Sequence, residues 1–206
     1  MRIGIDFDNT IVCYDGVFHA AALERGLIPA HIGRNKNSVR DYLNGIGRGD
    51  DFTELQGYIY GARMDLAAPY SGFADFVTAA RATGHDLFIV SHRTKYPIKG
   101  PKHDMHAAAR SFLIGRGLVG EERSQIDPTR VFFETTKDEK VARAAGLQCE
   151  IFVDDLPEIL TMPGLPDNMH RILFDPENRF EDKAGHAGKF VRSSSWATIM
   201  ANLIRG

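Results

Sequence analysis

The stretch Arg2-Ile-Gly-Ile-Asp6-Phe-Asp8-Asn-Thr10 decides how the rest of this chain is read. Ile3 to Asp6 is a short apolar run closed by a carboxylate, the pattern of a strand buried on both faces. Four more runs have the same continuous rather than alternating character: Leu87 to Val90, Val131 to Phe133, Ile151 to Val153 and Ile172 to Phe174. Continuous apolar strands predict a parallel sheet covered on both sides.

Helical periods fall between these runs. Phe73, Phe76, Val77 and Ala80 form one apolar face ended by Gly84, and Met105, Ala108, Ala109, Phe112 and Leu113 form another ended by Gly117. Lys137 to Ala145 forms a third, with Gly146 as its expected C-cap, and Ser193 to Ser195 precede a final helix over Trp196 to Leu203. Strands alternating with helices of this length predict a doubly wound, mostly parallel, Rossmann-like α/β core. Residues 16–68 break the rhythm: Phe18 to Arg25, Ser38 to Asn44 and Phe52 to Met64 read as helices with no central strand between them. The expected organisation is a catalytic core of residues 1–15 and 69–206, with 16–68 as a small inserted helical cap and Pro69-Tyr-Ser-Gly72 as the turn back.

The 206 residues suffice for one ordinary domain plus a modest insertion, and 43% apolar content is enough for a hydrophobic core. A net charge of −2 argues against a nucleic-acid polymer or an acidic membrane as partner. No apolar run approaches a membrane span, and no basic leader precedes the first strand. Cys13 and Cys149 are isolated, as expected of a reducing compartment, so the expected location is cytoplasmic.

In a doubly wound sheet, ligands collect beyond the carboxyl ends of the strands. The polar residues at those ends are Asp6, Asp8 and Thr10, then Ser91, then Lys137 after a short loop, then Asp154 and Asp155. Like charges gathered at strand ends repel and lose hydration, a cost that a divalent cation or a proton offsets. Residues i and i+2 leaving a strand reach a common site, and a backbone carbonyl beside them completes an oxygen set for a hard ion. The arrangement points to metal-assisted phosphate chemistry.

As a set, Asp6-Phe-Asp8-Asn-Thr10, Phe88-Ile-Val-Ser91, the lysine at Lys137 or Lys140, and Ile151-Phe-Val-Asp154-Asp155 resemble the haloacid dehalogenase-like hydrolase superfamily, in its magnesium-dependent phosphatase branch. The resemblance implies that Asp6 is the nucleophile on phosphorus and that Asp8 protonates the leaving oxygen and later activates water. It implies that Ser91 holds a phosphoryl oxygen, that a lysine neutralises the cluster, and that Thr10 ties the loop to the nucleophile. It also implies magnesium (Mg2+) held by Asp6, the Asp8 carbonyl and Asp155, with Asp154 outside the inner set; Glu158, three residues beyond Asp155, is placed to hydrogen-bond a metal-bound water. Of the two lysines, which sit one helical turn apart, Lys137 lies nearer the strand ends and is preferred to Lys140. Asn9 stands where the family often has glycine, and asparagine tolerates the left-handed backbone such a position needs. The family's dehalogenases resemble the chain less, because they lack the second aspartate.

The loop after Ser91 carries Arg93, Lys95, Lys99 and Lys102 within 11 positions, together with His92 and His103. His92 and Arg93 are the best placed to contact phosphate oxygens, arginine through a bidentate fork. The insertion supplies His19, Lys36, Arg40, Tyr42, Tyr58, Tyr60 and Arg63 as substrate-side candidates. The expected partner is a small phosphorylated metabolite. A phosphoryl-transferring mutase and a receiver-like phospho-accepting domain use related groups and stay open at this level.

Overall fold

A computed structural model describes residues 1–180 and 188–204. The chain begins with β1 (Arg2–Ile5) and β2 (Val12–Cys13), and continues through helices α1 (Val17–Glu24), α2 (Lys36–Gly45) and α3 (Gly49–Ala62) to β3 (Ala68–Pro69). Next come α4 (Phe73–Ala82), β4 (Asp86–His92), α5 (Met105–Gly115), β5 (Val131–Glu134), α6 (Lys137–Gly146) and β6 (Ile151–Asp154). The short α7 (Pro157–Leu160), β7 (His170–Phe174), β8 (Val191–Ser193) and α8 (Trp196–Ile204) complete it. No helix among the described residues is long and apolar enough to cross a membrane.

Six strands form one sheet in the order β5-β4-β1-β6-β7-β8, and every pairing is parallel. From β1 the chain winds outward through β4 to β5, then returns to the other side of β1 as β6. The strand order therefore reverses across β1 and β6, where a doubly wound sheet opens its ligand crevice. The five expected strands are all present. β4 is longer than its apolar run and takes in Ser91 and His92, while β8, half-polar and starting at an exposed Val191, carried no readable signal.

Packing explains several local choices. Gly4 lies where β1 meets β6, and a Cβ there would stand 2.7 Å from the Phe152 ring and 3.0 Å from Cys149 Sγ. Trp196, fully buried, packs on Phe73, Phe76 and Phe174, joining α4, α8 and β7. Its indole N–H donates to the Thr10 carbonyl (3.0 Å), so the apolar core grips the turn after β1. α6 runs one residue past the expected end, through Gly146, and the left-handed residue that follows is Gln148 (φ 54°). Ser195 caps α8 as read, its hydroxyl accepting from the Thr198 amide at 3.1 Å.

The chain divides into two compact units. One comprises Met1–Val12, Pro69–Arg93 and Ile114–Gly206, and holds the six-stranded sheet. The other comprises Cys13–Ala68 and Thr94–Leu113, the latter a segment that strand–helix rhythm alone assigns to the sheet. Within this second unit Phe18 stacks on Phe52 (5.7 Å between centroids), and Tyr60 contacts both Tyr14 and Phe18. Gly57 and Gly61, one turn apart on α3, give the 94–113 segment its seat. A Cβ at Gly57 would lie 2.5 Å from Pro97 Cβ, and one at Gly61 would overlap His103.

Candidate active site

Asp6 leaves β1 with its amide still bonded to the Val153 carbonyl (2.9 Å), which fixes its backbone at the β1–β6 boundary. Its side chain is buried, and Oδ1 accepts both the Ser91 hydroxyl (2.9 Å) and the Lys140 ammonium (2.6 Å). Both bonds fall on one oxygen, which leaves Oδ2 for other chemistry. Ser91 reaches it because it is the buried penultimate residue of β4, the neighbour of β1. The turn beyond closes through the Ile11 and Val12 amides on the Phe7 carbonyl, with Asn9 at φ 58°, the left-handed conformation expected of it.

The lysine is a correction to the reading from sequence. Lys140, not Lys137, enters the acid cluster: it is 2% exposed, and its ammonium lies 2.6 Å from both Asp6 and Asp154. Lys137 is exposed and pairs with Glu158 instead of entering the acid cluster. The cause is the capping box at the start of α6. Thr136 accepts from the Glu139 amide (3.1 Å), and the Glu139 carboxylate reaches back to the Thr136 amide (3.0 Å). This places Lys137 at the first helical position, on the rim, and Lys140 one turn inward beside the buried Val141 and Ala144. The Thr-x-x-Glu spacing at residues 136–139 was the available signal.

Asp154, wholly buried at the end of β6, accepts the Leu156 amide on Oδ1 (3.0 Å). Its Oδ2 faces the Lys140 ammonium as an ion pair but lacks a directed hydrogen bond among the described residues. Asp155 follows it, forms no ion pair among the described residues, and offers an oxygen within 4.8 Å of oxygens from Asp6 and Asp154. Burial pushes the Asp154 carboxyl up from its ordinary range, and the Lys140 charge only partly opposes this. Burial raises the Asp155 carboxyl as well, reinforced by the charges of Asp154 and Asp6. Burial works against the Lys140 charge too, but the joint pull of Asp154 and Asp6 outweighs it and holds the amine protonated.

Asp6 and Asp154 thus share one ammonium while Asp155 stands beside them without an ion pair among the described residues, so ionising all three would leave an excess of two negative charges in a desolvated cluster. An all-oxygen set of three clustered carboxylates that one ammonium does not neutralise fits a hard divalent cation such as magnesium. Asp155, free of the lysine, suits the inner position, and Asp154 is occupied in holding Lys140.

Three other expected residues lie elsewhere. Arg93 does not present an open fork: its Nη1 donates to both oxygens of Asp8, at 2.6 and 2.7 Å. His92 turns its Nε2 to the Thr135 carbonyl (3.1 Å). Thr10 is buried, but its hydroxyl finds no hydrogen-bond partner among the described residues and does not tie the loop to Asp6; its carbonyl accepts the Trp196 indole N–H, which holds the turn to the core. In the basic loop, Lys99 pairs with Asp50 and Lys95 lies 3.7 Å from Asp104, both inside the second unit. There too Lys36 donates to the Tyr60 hydroxyl (2.9 Å), and Arg63 bonds Glu24 (2.5 Å) and Tyr58 (3.2 Å).

No protein-family model matches the chain, and no curated protein matches it by sequence. Solved structures do match over nearly its whole length. A suggested phosphatase from Clostridium difficile aligns with a TM-score of 0.61 at 10% identity, covering 98% of this chain and 97% of that one. A hydrolase of the haloacid dehalogenase (HAD) family from Deinococcus radiodurans, with bound phosphate and sodium, gives 0.58 at 18%, covering 99% and 95%. A suggested HAD hydrolase from Bacillus subtilis, bound to magnesium, gives 0.53 at 11%, covering 98% and 97%. A dehalogenase also aligns, with a TM-score of 0.54 at 13% identity. The fold is that of the HAD-like hydrolases.

Proposed function

We propose that this chain, with its HAD-like fold, is a magnesium-dependent phosphomonoester hydrolase that works through an aspartyl-phosphate on Asp6. The fold alone does not choose between phosphate and halide chemistry, since a dehalogenase shares it. The observation that carries the reading is the acid cluster: Asp6 buried and fixed by Ser91 and Lys140, with Asp154 and Asp155 beside it and Asp8 two residues on. The phosphate and the magnesium held by two of the similar structures agree with it.

In this reading Oδ2 of Asp6 attacks phosphorus, because Oδ1 already accepts two hydrogen bonds. The bond from phosphorus to the leaving oxygen breaks, and Asp8 delivers the proton that oxygen needs. Asp8, now ionised, takes a proton from water as that water attacks phosphorus, which frees inorganic phosphate and restores the Asp6 carboxylate. Lys140 sits between Asp6 and Asp154 and offsets part of their charge in a pocket where both would otherwise be uncompensated. Magnesium, held by Asp6, Asp155 and the Asp8 carbonyl, would supply charge neutralisation that lets a carboxylate approach an anionic phosphoryl group. The substrate we infer is a small phosphorylated metabolite.

The test is a panel of nucleotides, sugar phosphates and short organic phosphates assayed for phosphate release with and without magnesium. Release that requires magnesium supports the proposal. Isomerised product without free phosphate would identify a mutase, and no turnover on any member of the panel would overturn the proposal.

A further inference from the structure

We propose that Arg93 is a positioning residue for Asp8 rather than a ligand of the phosphoryl group; this rests on the phosphatase reading above. Asp8 lies beyond the end of β1 in a turn that contains a left-handed residue, and its side chain is 20% exposed. A carboxylate on such a turn has rotamer freedom, whereas proton delivery to a leaving oxygen requires one orientation within hydrogen-bond reach. Arg93 supplies that constraint.

Arg93 is itself held in place, through its main chain, its burial and an aromatic ring. Its residue directly follows β4, with the Arg93 amide bonded to the Glu134 carbonyl at 2.8 Å. Its side chain is 2% exposed, far less than the acid it holds. The guanidinium carbon lies 5.3 Å from the centroid of the Phe7 ring, and that ring, wholly buried, stands edge-on to Phe133 at 5.7 Å. The contact runs from one nitrogen, Nη1, to both carboxylate oxygens, so rotation of the Asp8 carboxyl about its axis costs one of two charge-assisted bonds. Phe7 sits between the two aspartates in sequence, so one residue both separates their side chains and supports the arginine.

A phosphate-binding arginine and an Asp8-positioning arginine differ in which substrates need them. An alkyl phosphate has a leaving oxygen that must be protonated as the bond to phosphorus breaks. In 2,4-dinitrophenyl phosphate the phenolate departs without a proton. The parameter to compare is kcat/KM, which reports steps through formation of the aspartyl-phosphate and not its later hydrolysis. For Arg93→Ala we expect kcat/KM on an alkyl phosphate to fall about 100-fold, the lower end of what general acid catalysis contributes. On 2,4-dinitrophenyl phosphate it should stay within about threefold of wild type. Asp8→Asn should show the same dependence on leaving group, and the double variant should be no worse than Asp8→Asn alone. Arg93→Lys, which restores one donor and the charge, should recover part of the loss on the alkyl ester and serves as the comparison if Arg93→Ala does not fold.

Equal losses on both esters, or losses that multiply with those of Asp8→Asn, would overturn the proposal while leaving the phosphatase reading in place. A wild-type protein inactive on both esters with magnesium would overturn the phosphatase reading and this proposal with it.

Discussion

Replacing Lys140 with methionine removes the one positive charge that the buried acids share while keeping most of the side chain's volume. The ammonium is 2% exposed and lies 2.6 Å from Asp6 and 2.6 Å from Asp154. Breaking a buried ion pair by deleting one partner costs about 3–5 kcal/mol, because the remaining charge is left without compensation. Asp154, already favouring its protonated form through burial, can take up a proton and hold the loss near the lower end. For a chain of this length about 3 kcal/mol lowers Tm by roughly 6–12 °C. Lys137→Met is the matched control, one turn away, in an exposed pair worth about 0–1 kcal/mol. Urea unfolding and a thermal melt of both variants, in chelator, measure the contrast. Equal stabilities for the two variants, or a larger loss for Lys137→Met, would refute the assignment of the buried lysine.

Two further outcomes follow from the geometry. Gly57→Ala gains about 1 kcal/mol of helix propensity but drives a methyl group to 2.5 Å from Pro97. Overpacking of about 1–3 kcal/mol should win, lowering stability and speeding proteolysis of the 94–104 loop, whereas Gly45→Ala, with open space around it, should be neutral or stabilising. Asp154 and Asp155 carry carboxyls raised above the ordinary 3.8, so folding favours their protonated forms. Their contribution to stability is full below that value and is lost as pH rises through the folded values. Magnesium-free protein should therefore lose Tm between about pH 5 and pH 8, and millimolar magnesium should restore more at the higher pH. A magnesium shift of the same size at both would contradict the charge balance assigned to the cluster.

The sheet was legible because a strand buried on both faces leaves a continuous apolar run, and five such runs stand clear of their surroundings. β8 was not, since an edge strand half open to water carries no such run. Asp6, Ser91, Asp154 and Asp155 could be brought together from sequence because each closes a strand whose end must face the same crevice. Lysine reach is a different problem. Lys137 lies closer to the strand ends along the chain, but the capping box sets the helix so that Lys140 takes the buried position. The target of Arg93 was illegible for a related reason: sequence shows an arginine beside a phosphate site, and only the folded contacts, its Nη1 on both Asp8 oxygens and its guanidinium against the Phe7 ring, show which anion it faces. The grouping of Thr94–Leu113 with the inserted helices depends on Gly57 and Gly61, which read in sequence only as weak helix formers.

Magnesium-dependent phosphate release by Asp6→Asn tests the central claim most directly. Asparagine keeps the shape of the side chain and a carbonyl oxygen for Ser91 and Lys140, so the fold should persist, as circular dichroism can verify. With the nucleophilic oxygen gone, release from an aryl phosphate that the wild type hydrolyses should fall to the level of buffer. Activity near wild type in a folded Asp6→Asn protein would contradict the account.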